Sequence, residues 1–195
     1  MAVVGIIAML AVVGIPAIKG LTGSGGRKQA LAQVLGALEI ARNTAVSTGT
    51  NAAVIFPDGT FSVGGSAYQY RSLAVVAWSP TNTNANAPAS MVGSWINLPQ
   101  GVAFFPNSLN SMNMPRVTAA VRILTTIHSN NIFPAVVFQS DGGLSVDYAP
   151  IYPTNGIAFY EGTSNPPSSA TNKNYETIRI TRFTGRTRPT LAPAP

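Results

Sequence analysis

The chain has 195 residues, no cysteine and a formal net charge of +6, and only 9% of its residues are charged. Without cysteine, disulfides and thiolate metal sites are excluded. Ordinary soluble domains carry about 25% charged residues, so this composition favours an exported protein that assembles with neighbours over a free cytosolic one.

The first eighteen residues, Met1–Ile18, carry no charge, and the first ionisable side chain is that of Lys19. As a helix this run would span about 27 Å, close to the ~30 Å hydrocarbon core of a bilayer. The sequence therefore predicts a hydrophobic stalk over residues 1–26. Proline and clustered glycines predict a kinked or melted break within it, at Pro16, Gly20, Gly23, Gly25 and Gly26.

An amphipathic helix is predicted over residues 27–48, because apolar residues recur three and four apart, from Leu31 through Leu38 to Ala45. Gly49 follows the last of them and is positioned to cap the helix. The apolar face indicates that this helix packs on the rest of the chain.

From Asn51 onward, short apolar runs alternate with turn residues, which predicts a β-rich globular head over residues 49–189 and a flexible tail over 190–195. Residues 116–128 fit a helix and a strand equally well, and helix is favoured. The predicted strands are 52–56, 60–63, 69–78, 96–98, 102–105, 135–139, 144–146, 157–161, 177–183 and 186–189. The predicted fold class is α+β, with a long N-terminal apolar helix, kinked or melted near Pro16–Gly26, followed by antiparallel sheets.

The chain offers little for catalysis or metal binding. His128 is the single histidine, and Asp58 and Asp141 each precede a glycine in a predicted turn, where aspartate is favoured. No nucleophile elbow, phosphate loop or dinucleotide fingerprint occurs. We therefore expect no enzyme activity, no cofactor and no metal site. The aromatic residues are expected in the core or on strand faces: Tyr68, Tyr70, Trp78, Trp95, Phe104 and Phe105.

Basic residues cluster near the end of the chain, at Lys173, Arg179, Arg182, Arg186 and Arg188. Such a patch can bind nucleic acid. No nucleic-acid motif accompanies it, so the sequence favours a solvated strand face and does not favour a nucleic-acid partner.

The segment Met1–Ile18, with its Ile15-Pro16-Ala17 step, resembles the N-terminal segment of type IV pilins and type II secretion pseudopilins. The head resembles the minor pseudopilins that cap or prime secretion filaments. Three patterns carry the second resemblance: ARNTAVSTGTNAAVIF, FQSDG, and the run from Ile178 to Gly185-Arg186. The matching positions are Ala41, Arg42, Ala45, Gly49, Val54, Phe56, Phe138, Asp141, Gly142, Gly185 and Arg186.

The resemblance implies a structural subunit of a type IV pilus-like or pseudopilus filament that polymerises through its N-terminal hydrophobic helix. The implied partners are copies of itself in a helical filament, the inner-membrane assembly machinery and, for the monomer, the membrane. The implied location is the bacterial inner membrane before assembly and an extracellular or periplasmic filament afterwards. The residues expected to pack in the filament core are Val3, Val4, Gly5, Ile6, Ile7, Ala8, Leu10, Ala11, Val12, Val13, Gly14 and Ile15.

One motif expected of such a filament subunit is missing, and two alternative functions remain. The cleavage motif, phenylalanine and glutamate that open such proteins are absent from this sequence, and in register they would lie upstream of Met1. The head also fits a minor or tip subunit that primes assembly or binds a ligand. The other alternative is a membrane-anchored or secreted adhesin, in which the apolar run is an anchor or a signal.

Overall fold

A computed structural model describes residues 2–79, 89–106, 109, 114–145, 157–161 and 175–191, with side chains from Gly25 onward except those of residues 161, 175 and 191. The helix and strands are, in chain order, α1 (Ala2–Thr48), β1 (Asn51–Ile55), β2 (Ser72–Trp78), β3 (Ala89–Met91), β4 (Ile96–Asn97), β5 (Val102–Phe104), β6 (Arg116–Ile123), β7 (Thr126–Phe138), β8 (Ile157–Glu161), β9 (Tyr175–Ile180) and β10 (Thr187–Leu191).

Five strands close into a small barrel. The order runs β1-β7-β6-β3-β2, and β2 pairs with β1 again to complete the ring, with β4 added at the edge of β2. All of these pairings are antiparallel except that between β3 and β6, which is parallel. The remaining strands form a separate antiparallel sheet in the order β10-β9-β8-β5.

The described part of α1 is amphipathic and packs between the barrel and the second sheet. Its exposed face includes Glu39, Ile40 and Asn43. Thr50 N donates to the Ala45 carbonyl oxygen (3.2 Å), and Gly49 has a φ of 64°. This is the closure of a helix that ends in a left-handed residue, so the predicted cap at Gly49 is confirmed. The buried face consists of Ala30, Val34, Ala37, Leu38, Ala41 and Ala45.

Two apolar cores share the strands β1, β2 and β7. One core fills the barrel interior with small and β-branched side chains, such as Ala53, Val76 and Val137. The other lies outside the barrel, where Val54, Val75 and their neighbours meet α1 and the second sheet. Because these three strands are buried on both faces, their buried segments are continuous apolar runs and do not alternate between apolar and polar residues.

The predicted fold class is wrong in its long apolar N-terminal helix. We expected an apolar helix, a break and a second helix, whereas the structure has a single helix, α1, of which residues 25–48, the part with described side chains, pack on the body. In the part of the chain that the structure describes, no helix is long and apolar enough to cross a membrane. The prediction of purely antiparallel sheets is also wrong, because β3 and β6 run parallel.

The predicted break is wrong at Gly25 and Gly26, which lie inside α1. A Cβ at Gly26 would lie 3.4 Å from Val102 Cγ2 and 3.8 Å from Pro99 Cβ. Gly26 therefore sits close to the start of β5, and this packing outweighs the poor helix propensity of glycine. Pro16, Gly20 and Gly23 fall where side chains are not described.

Most of the predicted strands are confirmed, with two exceptions. Residues 60–63 form turns rather than a strand, and at 144–146 the described residues form only an isolated bridge, between Leu144 and Phe138. Residues 116–128 form β6 and the start of β7, so the preference for helix was wrong. Val117, Ala119 and Val121 alternate with more exposed neighbours, which is the strand periodicity.

Candidate functional site

The C-terminal part of α1 meets two turns at a contact that we call the joint, formed by Arg42, Phe138, Gly142 and Gly185. Arg42 Nε donates a hydrogen bond to the Gly142 carbonyl oxygen (3.3 Å). The Arg42 side chain is 29% exposed, and its Nη1 lies 3.8 Å from the Glu39 carboxylate. Arg42 therefore fastens the helix to the turn after β7.

Gly185 is the tightest position in the joint. A Cβ there would overlap the Gly142 carbonyl oxygen and would lie 3.0 Å from the Phe138 ring and 3.2 Å from Arg42 Cδ. Its φ of 62° is also one that L side chains rarely adopt. Glycine is required at this position by both packing and backbone conformation.

Asp141 shapes the turn that Arg42 contacts. Its Oδ1 accepts a hydrogen bond from Gly143 N (2.8 Å), as an aspartate commonly does two residues before an amide. Leu144 N then donates to the Arg182 carbonyl oxygen (2.8 Å). The joint thereby ties α1, the β7 turn and the β9–β10 turn to one another.

Residues 175–191, which we call the arginine hairpin, extend from this joint. In the register of β9 and β10, Arg179 lies directly opposite Arg188. Cross-strand partners share one face of a sheet, and Arg186 immediately precedes β10. All three are exposed, as is Arg182.

The tip of the arginine hairpin adds an aromatic side chain to these cations. Phe183 is 86% exposed, and Arg182 Cζ lies 5.9 Å from the centre of its ring. Glu176 is the last acidic residue in the sequence. Among the described residues, no carboxylate pairs with Arg179, Arg182, Arg186 or Arg188. The described part of the hairpin therefore concentrates positive charge beside an accessible aromatic ring.

An ion pair between the buried Asp58 and the exposed Arg116 was not predicted from the sequence. Asp58 accepts hydrogen bonds from Thr60 N (2.9 Å) and Arg116 Nη2 (2.9 Å), and its side chain is 1% exposed. The turn role predicted for Asp58 is present, but the charge is compensated from 58 positions away, at the start of β6. A sequence pattern carries no signal for such a distant partner. The pair acts structurally, by holding the β1–β2 connection against the barrel.

The aromatic residues that the sequence placed in the core or on strand faces are either buried or half-buried. Tyr70 and Phe104 are buried, whereas Tyr68, Trp78, Trp95 and Phe105 are half-buried. In the described ranges, no three histidine or carboxylate side chains group together as metal ligands would.

The predicted filament-core residues lie outside the described side chains, so their packing is not assigned. Of the positions quoted for the family resemblance, Ala41, Ala45, Val54 and Phe56 are buried in the core between α1 and the strands. Arg186 is exposed on the arginine hairpin. The remaining positions form the α1 cap and the joint. The chain matches no protein-family model, and no curated protein or solved structure is significantly similar to it.

Proposed function

We propose that the protein is a structural subunit of a pilus-like or pseudopilus filament. In this proposal the apolar sequence Met1–Ile18 is buried among copies of itself, and the β-rich body lies on the outside. The subunit resides in the inner membrane, is handled there by assembly machinery, and ends in a periplasmic or extracellular filament.

The proposal is carried by one observation, the convergence of the resembling residues. They come from three segments that are far apart in the sequence, around Arg42, Gly142 and Gly185, and these three residues contact one another in the joint. Chance matches to short patterns would fall on unrelated parts of the fold. Because residues from all three segments contact one another, the three patterns are better explained as parts of one fold than as chance matches.

The physical chemistry of the apolar sequence supports the same proposal. Met1–Ile18 has no charged side chain, and burying apolar surface contributes roughly 25 cal/mol per Å². A run of this size gains many kcal/mol when a bilayer or neighbouring copies cover it. Gly5, Ala8, Ala11 and Gly14 are small residues that would permit close approach between neighbours.

Deletion of Met1–Ile18 tests the proposal. We expect the truncated protein to lose part of its helical circular dichroism signal but to keep the β-sheet signal and cooperative unfolding, and to form no fibres in electron micrographs. Deletion of residues 192–195, which follow the last residue of β10, is the control and should leave fibre formation intact. Fibres formed by the protein without Met1–Ile18 would contradict the role assigned to that sequence.

The arginine hairpin favours a second candidate function, a minor subunit that binds nucleic acid. Cross-strand arginines are unfavourable for folding, so a binding role explains why Arg179 and Arg188 face each other. Cations two residues apart on a strand can follow a phosphate backbone, and an exposed ring such as that of Phe183 can stack on a base. The hairpin combines both chemistries.

Charge reversal at Arg188 tests this second candidate. We expect Arg188→Glu to weaken binding of a labelled single-stranded oligonucleotide at least about tenfold in fluorescence anisotropy, and to flatten the salt dependence. Arg122→Glu is the matched control, since Arg122 is exposed outside the hairpin and the change in net charge is the same. Equal losses in both variants would assign the binding to net charge and reject the hairpin as the site.

A further inference from the structure

The far end of the β6–β7 hairpin carries apolar side chains that nothing in the described structure covers. Every residue from 122 to 130 is exposed or half-buried, and we call this segment the apolar finger. Leu124 is 90% exposed and Ile127 is 62% exposed, while Ile123, which precedes Leu124, is half-buried. Large apolar groups concentrated at a hairpin end are typical of an interaction site rather than of a solvated turn.

The backbone holds Leu124 in an unfavourable conformation. Ile123 pairs with Thr126, so Leu124 and Thr125 are the two central residues of the turn. Leu124 has a φ of 54°, at the position where a tight hairpin turn of this kind favours glycine. A leucine here costs stability and places its side chain in solvent, which is explained if the side chain has a partner.

The finger is firmly held at its base. Trp95 Nε1 donates to the Arg122 carbonyl oxygen (2.8 Å), and Arg122 N lies 3.2 Å from Met91 Sδ. The β6–β7 pairing shifts register between Ala119 and Val121, and Asn130 has a φ of 65°. Such bulges redirect a hairpin and are common beside functional sites. The finger is therefore an oriented element of the barrel.

The charge around the finger indicates which surface it meets. From Arg116 to Phe138 the sequence contains Arg116, Arg122 and His128 but no acidic residue. Arg116 is neutralised by Asp58, which leaves Arg122 exposed beside the apolar tip. Half-buried Trp95 lies at the base. An exposed leucine and isoleucine with a flanking arginine suit an anionic lipid interface, where apolar groups insert and the cation meets the headgroups.

We propose that the apolar finger docks the body of this protein onto an anionic lipid surface, with Leu124 and Ile127 inserted between acyl chains and Arg122 at the headgroups. A second copy of the chain is a poorer occupant, because two fingers that meet tip to tip would bring two exposed Arg122 side chains together. The proposal does not depend on filament formation, since it concerns the body and not Met1–Ile18.

The absence of cysteine allows a single reporter at the tip. Thr125→Cys carries a polarity-sensitive dye in the full-length protein, which is reconstituted into vesicles of phosphatidylcholine alone or with phosphatidylglycerol. Met1–Ile18 is present in every sample, so only the surroundings of the dye change. We expect a blue shift and quenching by brominated lipid in the anionic vesicles, and a much smaller response in the neutral ones.

Variants then assign the response to the finger. Leu124→Ser in the labelled protein should reduce the fraction of inserted tip at least about tenfold, as loss of one buried leucine implies. Ile40→Ser removes another exposed apolar side chain, on α1, and should have no effect. A dye at position 125 that stays water-exposed in anionic vesicles would overturn the proposal. A blue shift without lipid that grows with protein concentration would also overturn it, in favour of a second copy.

Discussion

The joint and the two exposed hairpins show opposite relations between sequence and stability. In the joint, each residue suits its place, because glycine at position 185 fits where any side chain would collide. In the hairpins, residues are poorly suited to folding, since Arg179 faces Arg188 and Leu124 adopts a left-handed conformation. Residues that lower the stability of the fold are retained at positions where function requires them. The contrast therefore separates the part of the molecule that holds its shape from the parts that meet other molecules.

The largest expected effect lies in the joint. Gly185→Ala should lower the free energy of unfolding by about 3 kcal/mol, because the new Cβ meets backbone and a ring that cannot move aside. Gly65→Ala is the matched control, with a φ of 64° and no atom within 4 Å of the new Cβ; it should cost only about 1 kcal/mol. Denaturant unfolding of both variants measures the difference, and equal losses would show that backbone conformation alone determines both.

The next effect has the opposite sign and lies in the apolar finger. Leu124→Gly should raise the free energy of unfolding by about 1 kcal/mol, since relief of the left-handed strain exceeds the entropy cost of glycine. Thr125→Gly, at the neighbouring position without a positive φ, should lower stability instead. Thermal melting of the two variants compares them, and destabilisation by Leu124→Gly would remove the argument that leucine is kept there for binding.

The smallest effect is expected in the arginine hairpin. Arg188→Glu places a carboxylate opposite Arg179 and should raise the free energy of unfolding by about 0.5 kcal/mol at low salt, while oligonucleotide binding falls. The gain should shrink as salt screens the new pair. A stability loss would indicate that the arginines are held by contacts outside the hairpin and would weaken the contrast with the joint.

The sequence correctly predicted the structural elements that depend on residues close together in the chain. β1 and β8 were placed within a residue, because short apolar runs there are bounded by turn residues. Gly49 was placed as the helix cap, because a glycine after the last apolar position is a strong end signal. These features depend on neighbours within a few positions.

Features decided by distant partners were missed. Residues 116–123 fit two periodicities, and only pairing with β7 and parallel contact with β3 make them a strand. Helix continues through Gly25 and Gly26 because the latter packs near Val102. Asp58 was assigned to a turn, whereas its buried charge depends on Arg116. In each case tertiary packing overrides local propensity.

Part of the candidate site could also be predicted from the sequence. The arginines at positions 179, 182, 186 and 188 form an evident cluster in the sequence, but the placement of Arg179 opposite Arg188 follows from the register of β9 and β10. The apolar finger had no sequence signal, because Ile123, Leu124 and Ile127 look like core residues until their exposure is known. Apolar residues are informative for binding only when the fold leaves them in solvent.

Negative-stain electron microscopy of the full-length protein after detergent removal tests the filament proposal most directly. The account predicts fibres of uniform diameter, with Met1–Ile18 withdrawn from solvent among copies of the chain. Monodisperse particles in detergent-free buffer, with that apolar sequence folded against its own body, would contradict it.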